Sequence, residues 1–161
     1  MSAPAPVPAD PAPGYRAIEK LIMTYAALVD DGDFAGVGAL LADATFTGGG
    51  GAVSGAGAIE QMFRDTLIVY DDGTPRTRHL VTNVIIEVDE QMGTAAARSY
   101  FTALQALPGL ALQPIASGRY RDRFARRGGQ WRFLERRVSV DLAGDLSHHL
   151  RRATPTPPDP A

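Results

Sequence analysis

The run TRHLVTNVIIEV, residues 77–88, decides the fold, because the spacing of apolar residues changes there from near 3.6 to 2. Simple alternation along it puts His79, Val81, Asn83 and Ile85 on one face, and β-branched side chains suit it to a pleated strand. Three runs of the same kind follow at 93–106, 115–126 and 130–140. The connections Asp89-Glu90-Gln91-Met92-Gly93 and Arg127-Gly128-Gly129 have the composition of hairpin turns. The second half of the chain is therefore expected to be a meander of long antiparallel strands.

Upstream the period is helical. Ile18, Leu21, Ile22, Tyr25, Ala26 and Val29 recur at helical spacing, and Asp30-Asp31-Gly32-Asp33 ends the helix. Gly32 suits a left-handed position there, and Asp33 is placed to cap a second short helix reaching about Leu41. A short strand at 45–47, a flexible glycine rim at 48–51 and a third helix at 56–69 come next. Ile59, Met62, Phe63 and Leu67 lie along one side of that third helix. Residues 71–75 form a turn, and 147–152 are expected to add a short terminal helix. Helices first and strands afterwards define an α+β architecture, with the helices on one side of a mostly antiparallel sheet.

Length and composition fit one core. The chain has 161 residues, 45% of them hydrophobic and 21% charged, which is ordinary globular composition. A net charge of −2 gives no bulk pull toward nucleic acid or an anionic membrane. The absence of cysteine excludes disulfides, thiolate nucleophiles and Cys-based zinc sites, and it fits a reducing cytoplasm. Residues 1–14 hold five prolines and read as a disordered leader, and 153–161 as a Pro-rich tail, leaving 15–152 as the folded domain. No apolar stretch approaches the roughly 18 residues of a membrane helix.

Four charged or titratable positions stand out. Asp30, at the end of the first helix, is either a solvated turn residue or a site carboxylate held against the unfavourable helix dipole. His79 opens the first long strand, where it is either a hydrogen-bonded core residue or a base. An imidazole, with a reference pKa of ~6.5, takes and returns a proton near neutrality, and a carboxylate on one ring nitrogen raises the basicity of the other. Arg136 alternates with Leu134 and Val138. It could pair with Asp30, hold a ligand's anionic or carbonyl group, or sit at the surface beside an acid. Asp122 alternates with Tyr120 and Phe124, opposite Arg119, Arg121 and Arg123, whose row reads as a solvated or interface face rather than a nucleic-acid surface. His148-His149 is a poor metal pair, since adjacent helical side chains diverge by ~100°. No nucleophile elbow, phosphate loop or dinucleotide fingerprint is present.

The ordered pattern Ile22-x-x-Tyr25-x-x-x-x-Asp30-x-x-Asp33, Arg78-His79-x-x-x-Asn83, Gly118-x-Tyr120-x-Asp122 and Trp131-x-Phe133-x-x-Arg136 resembles the SnoaL-like group of the nuclear-transport-factor-two-like superfamily. The resemblance runs from about Gly14 to Leu150. It implies a cone-shaped α+β barrel, with a curved sheet and the helices enclosing one deep, largely apolar pocket. The group includes polyketide cyclases, scytalone dehydratase, a dehydrochlorinase, steroid isomerases and ligand binders without known reaction. By that resemblance Asp30 and His79 match the aspartate–histidine base of the dehydratase and dehydrochlorinase members, and Arg136 matches a pocket arginine. Tyr100 and Phe101 stand in the strand where scytalone dehydratase carries a second pocket histidine. The implied function is a cofactor-independent lyase or isomerase acting on a small, mostly apolar molecule. Asp30, His79 and Arg136 would do the chemistry, and Tyr25, Tyr100, Asn83, Phe63 and Trp131 would contact the ligand. The alternatives are a hydrophobic small-molecule binder of the same fold and a structural subunit. A homodimer is the implied assembly, with no metal, nucleic-acid or membrane partner.

Overall fold

A computed structural model describes residues 13–152, so the leader (apart from Pro13 and Gly14) and the tail lie outside the described residues. Helix α1 spans Pro13–Asp30 and α2 spans Phe34–Leu40. Strands β1, Thr45–Gly48, and β2, Gly51–Ser54, precede α3 at Ala56–Thr66. Four long strands complete the domain: β3 Thr77–Asp89, β4 Thr94–Leu107, β5 Leu110–Arg127 and β6 Gln130–Ala143.

The strands form one six-stranded sheet in the order β2-β1-β6-β5-β4-β3. All neighbours are antiparallel except β1 and β6, which run parallel, so the sheet is mixed and open. Register shifts in the β3–β4, β4–β5 and β5–β6 ladders mark bulges, which bend and twist strands of this length. Helices α1 and α3 pack on one face of the sheet, with α2 against both of them. Ile18, Ile22, Tyr25 and Val29 of α1 and Ile59 and Phe63 of α3 are buried against Phe101, Tyr120, Phe124 and Phe133 of the sheet.

Local chemistry explains the helix boundaries. Asp33 caps α2 by accepting from the Gly36 N–H at 2.8 Å. Gly32 adopts φ +72, and a β-carbon there would collide with the Gly73 carbonyl. This close approach ties the end of α1 to the turn before β3. Helix α3 stops at Thr66 rather than running to 69, because Leu67 is extended and bridges Leu150. The same pairing replaces the terminal helix expected at 147–152. The Ile68 N–H donates to the His149 carbonyl at 2.8 Å, and the Arg151 N–H donates to the Thr66 carbonyl at 2.9 Å. The glycine rim at 48–51 is a hairpin that joins β1 to a second short strand, β2, rather than a flexible loop.

Two bulges overturn simple alternation. Asn83 takes a left-handed backbone, φ 53, where the β3–β4 register slips between Thr82 and Ile85. Asparagine tolerates that conformation, and the extra residue inverts the phase of the strand. His79 and Val81 face the helices, but the inward series resumes at Val84, Ile86 and Val88, while Asn83 and Ile85 are exposed. In β6, Glu135 pairs with Arg123 and Phe133 with Phe124, so Leu134 is the extra residue. Arg136 therefore shares its face with Phe133 rather than with Leu134.

A carboxylate–imidazole pair in an open cleft

Asp30 is no solvated turn residue. Its Oδ1 accepts the Thr77 hydroxyl at 2.9 Å and contacts His79 Nδ1 at 2.6 Å, and its Oδ2 accepts the His79 backbone N–H at 2.8 Å. Both side chains are about 10% exposed. Burial pushes the Asp30 carboxyl up, but the His79 ring N–H, the charge it can carry, the His79 backbone N–H and the Thr77 hydroxyl outweigh burial and hold it below the usual carboxylate range. These donors offset the opposing dipole of the helix end. An ionised carboxylate only accepts, so the proton on this contact belongs to Nδ1, and Nε2 is left as the acceptor nitrogen of the neutral ring. Phe101 packs behind the imidazole, ring centroids 6.3 Å apart.

The pair sits in a cleft of about 640 Å³ between the C-terminal half of α1 and the start of β3. Met23, Ala26, Ala27 and Val81 supply an apolar wall, and Asp31, Asp72, Arg76 and Arg78 supply a charged rim. The cleft differs from the enclosed, largely apolar pocket expected, being open to solvent and charged at its rim, and aromatic rings pack together between sheet and helices. Phe34 stacks on Phe63 at 5.7 Å and Phe101 on Tyr120 at 4.7 Å, while Tyr25 meets Tyr120 edge-on at 5.8 Å.

Arg136 belongs to that packed interior. It is fully buried and donates from Nε and Nη2 to the two oxygens of Asp122, each at 2.8 Å, so its partner is Asp122 and not Asp30. Tyr25 and Tyr120 flank the guanidinium, each 4.1 Å from ring centroid to Cζ, and Phe133 lies at 5.0 Å. Burial alone would lower the Arg136 pKa; the Asp122 charge and hydrogen bonds reverse this and raise it. Burial likewise pushes the Tyr25 hydroxyl up to about 12. A paired, ring-sandwiched guanidinium outside the cleft lining is a structural centre.

The remaining candidates are scattered. Phe63 is core, packed on Tyr25, Phe34 and Phe46. Tyr100 is 51% exposed on the outer sheet face, opposite Ser99 and Phe101. Asn83 is exposed at its bulge. Trp131 lies at the far end of β6, where the Arg126 guanidinium stacks on it at 5.4 Å. None of these four, nor Tyr25, lines the cleft.

One residue was overlooked. His149 is 9% exposed, on the segment that folds back over the end of α3, and its Nδ1 has no hydrogen-bond partner among the described residues. Burial and then the repulsion of a charged His79 push its pKa down to about 4, against a smaller pull from Asp30. The adjacent residue also touches the site, since Gln105, in the cleft wall, donates to the His148 carbonyl at 3.0 Å. In the sequence His148-His149 offered only a metal-ligand pattern to test. The long-range bridge at Leu67 is what folds it back. Among the described residues no three His, Asp or Glu side chains converge as a metal site, and no helix is long and apolar enough to cross a membrane.

Three helices on an open curved sheet, with an acid–imidazole pair at one edge, define a small α+β domain built to present a polar pair to a cleft. Residues 12–137 match the SnoaL-like domain, and the chain belongs to that family. No curated protein is significantly similar to it. Among solved structures it is similar to a protein of unknown function from Mycobacterium tuberculosis, at 26% identity over 79% of this chain and 71% of that one, TM-score 0.65. A provisionally assigned scytalone dehydratase from Novosphingobium aromaticivorans shares 21% identity over 91% and 95% of the two chains, TM-score 0.64. ActVI-ORFA from Streptomyces coelicolor shares 19% over 79% and 96%, TM-score 0.64. These likenesses carry the nuclear-transport-factor-two-like fold.

Proposed function

We propose that the chain is a cofactor-independent lyase or isomerase in which His79 Nε2 removes a proton from carbon. The observation carrying this reading is the 2.6 Å contact between His79 Nδ1 and Asp30 Oδ1 inside the cleft. It presents Nε2 as the base and lets Asp30 stabilise the imidazolium that forms. The bond broken is C–H, and its proton moves to Nε2. The electron pair left behind either expels a leaving group on the adjacent carbon, giving a lyase, or shifts and is reprotonated from Nε2, giving an isomerase. Arg136 has no part in this step, because Asp122 and three rings enclose it. The SnoaL-like domain and its likeness to a provisionally assigned scytalone dehydratase support the reaction class.

The test is exchange of the activated C–H protons of 2-tetralone, a small apolar ketone, in deuterated buffer followed by NMR. His79→Asn is expected to abolish exchange above the buffer rate, and Asp30→Asn to lower it by about 10²-fold. Full exchange by His79→Asn removes the mechanism. The second reading, a binder without chemistry, rests on the cleft itself, and it predicts tetralone binding with no exchange in the wild-type chain. A cytoplasmic location and a homodimer packed through the outer sheet face, where Leu80, Tyr100 and Leu142 are exposed, belong to the same proposal. Sedimentation as a monomer at working concentration removes the dimer.

A further inference from the structure

The cleft has a second wall that proton abstraction does not use. Arg78 and Leu104 are register partners on β3 and β4, so their side chains stand together on the face opposite His79. Leu104, Ala106 and Leu112 form an apolar shelf beside Arg78, and all four border the same cleft as His79. Leu112 is 69% exposed, a large apolar side chain with little covering it. Because β3 is an edge strand, the cleft passes over its end, and groups from both faces reach one space.

The charges along the cleft are unequally committed. Asp30 holds His79 and Thr77. Asp72 pairs with Arg76 at 2.8 Å and accepts from Thr74. Arg78 has no ion-pair or hydrogen-bond partner among the described residues. The carboxylate left over, Asp31, stands on the helix side of the cleft and makes no salt bridge to it. An unpaired guanidinium next to an apolar shelf and within one cleft of a base is the arrangement that an amphiphilic organic anion satisfies: its hydrocarbon covers the shelf and its acid group takes the guanidinium fork.

We propose that the cleft takes an organic anion, an aromatic or alicyclic carboxylate or sulfonate, with Arg78 holding the acid group while the ring body extends toward His79. This rests on the cleft being the ligand site, and it changes the substrate class from a mostly apolar molecule to an anionic one. Arg78 then sets specificity rather than reactivity.

The experiment compares two fluorescent probes with the same aromatic body on the full chain: 8-anilino-1-naphthalenesulfonate, which is anionic, and N-phenyl-1-naphthylamine, which is neutral. The wild type is expected to bind the sulfonate about tenfold more tightly, the usual scale for one partly exposed charge-assisted contact. Sulfonate binding should also move the His79 ring signals in side-chain NMR. Arg78→Gln should bring the two affinities within about twofold by weakening the sulfonate alone, and Arg78→Lys should restore part of the difference. Equal affinities in the wild type, discrimination that survives Arg78→Gln, or His79 signals that the sulfonate leaves unmoved would each overturn the proposal. Because the readout is equilibrium binding, it stands or falls separately from proton exchange: His79→Asn is expected to keep the discrimination while losing exchange.

Discussion

Replacing His149 with Asn should flatten the acid limb of the stability curve. The folded imidazole is held neutral, its pKa pushed down to about 4 by burial and by the neighbouring His79 charge. An unfolded histidine takes a proton near 6.5. Between those values the unfolded chain binds a proton that the folded chain refuses, so the stability due to neutral His149 is complete above about 6.5 and drains away as pH falls toward 4. A separation of about 2.5 units corresponds to an upper bound of ~3 kcal/mol at 1.36 kcal/mol per unit. Roughly 2 kcal/mol of it falls between about pH 7 and pH 4.5. Urea unfolding of wild type and His149→Asn, read by far-UV circular dichroism at several pH values across that window, measures it. The wild type should lose about 2 kcal/mol more than the variant as the solution is acidified. Parallel loss in the two proteins would refute the burial of a neutral imidazole at His149.

Asp122→Asn strands the Arg136 guanidinium inside a shell of aromatic rings with no counter-charge. It should destabilise the fold by ~3–5 kcal/mol, seen as a large fall in the thermal midpoint, and an unchanged midpoint would contradict the buried pair. Gly32→Ala places a β-carbon against the Gly73 carbonyl at a left-handed position. It should cost about 1–3 kcal/mol in chemical denaturation, and tetralone exchange should fall with it, because that contact holds Asp30 to the strand carrying His79.

Periodicity alone laid out most of the architecture. The 3.6 spacing through Ile18, Ile22, Tyr25 and Val29 and the period-2 runs from Thr77 onward require a helix packed against long strands, whatever their partners. Capping by Asp33 and the left-handed Gly32 are local chemistry and were legible for the same reason. Asp30 and His79 could be named from sequence, but not their meeting. That contact joins residues 49 apart, and only the packing of α1 on β3 brings them to 2.6 Å.

Phase within the strands was beyond sequence. A bulge adds one residue without a composition signal strong enough to date it, and every side chain beyond it changes face. Asn83 turned outward at one bulge, and Arg136 joined Phe133 at another. The partner of Arg136 was likewise a matter of register, since Asp122 faces it across β5 and β6. Whether the space under the helices is hollow depends on the summed volume of rings drawn from distant segments, which no local pattern reports. Tertiary structure packs those rings together and places the candidate pair in a cleft at the sheet edge, while His149 returns to the end of α3 through backbone hydrogen bonds that its own sequence does not announce.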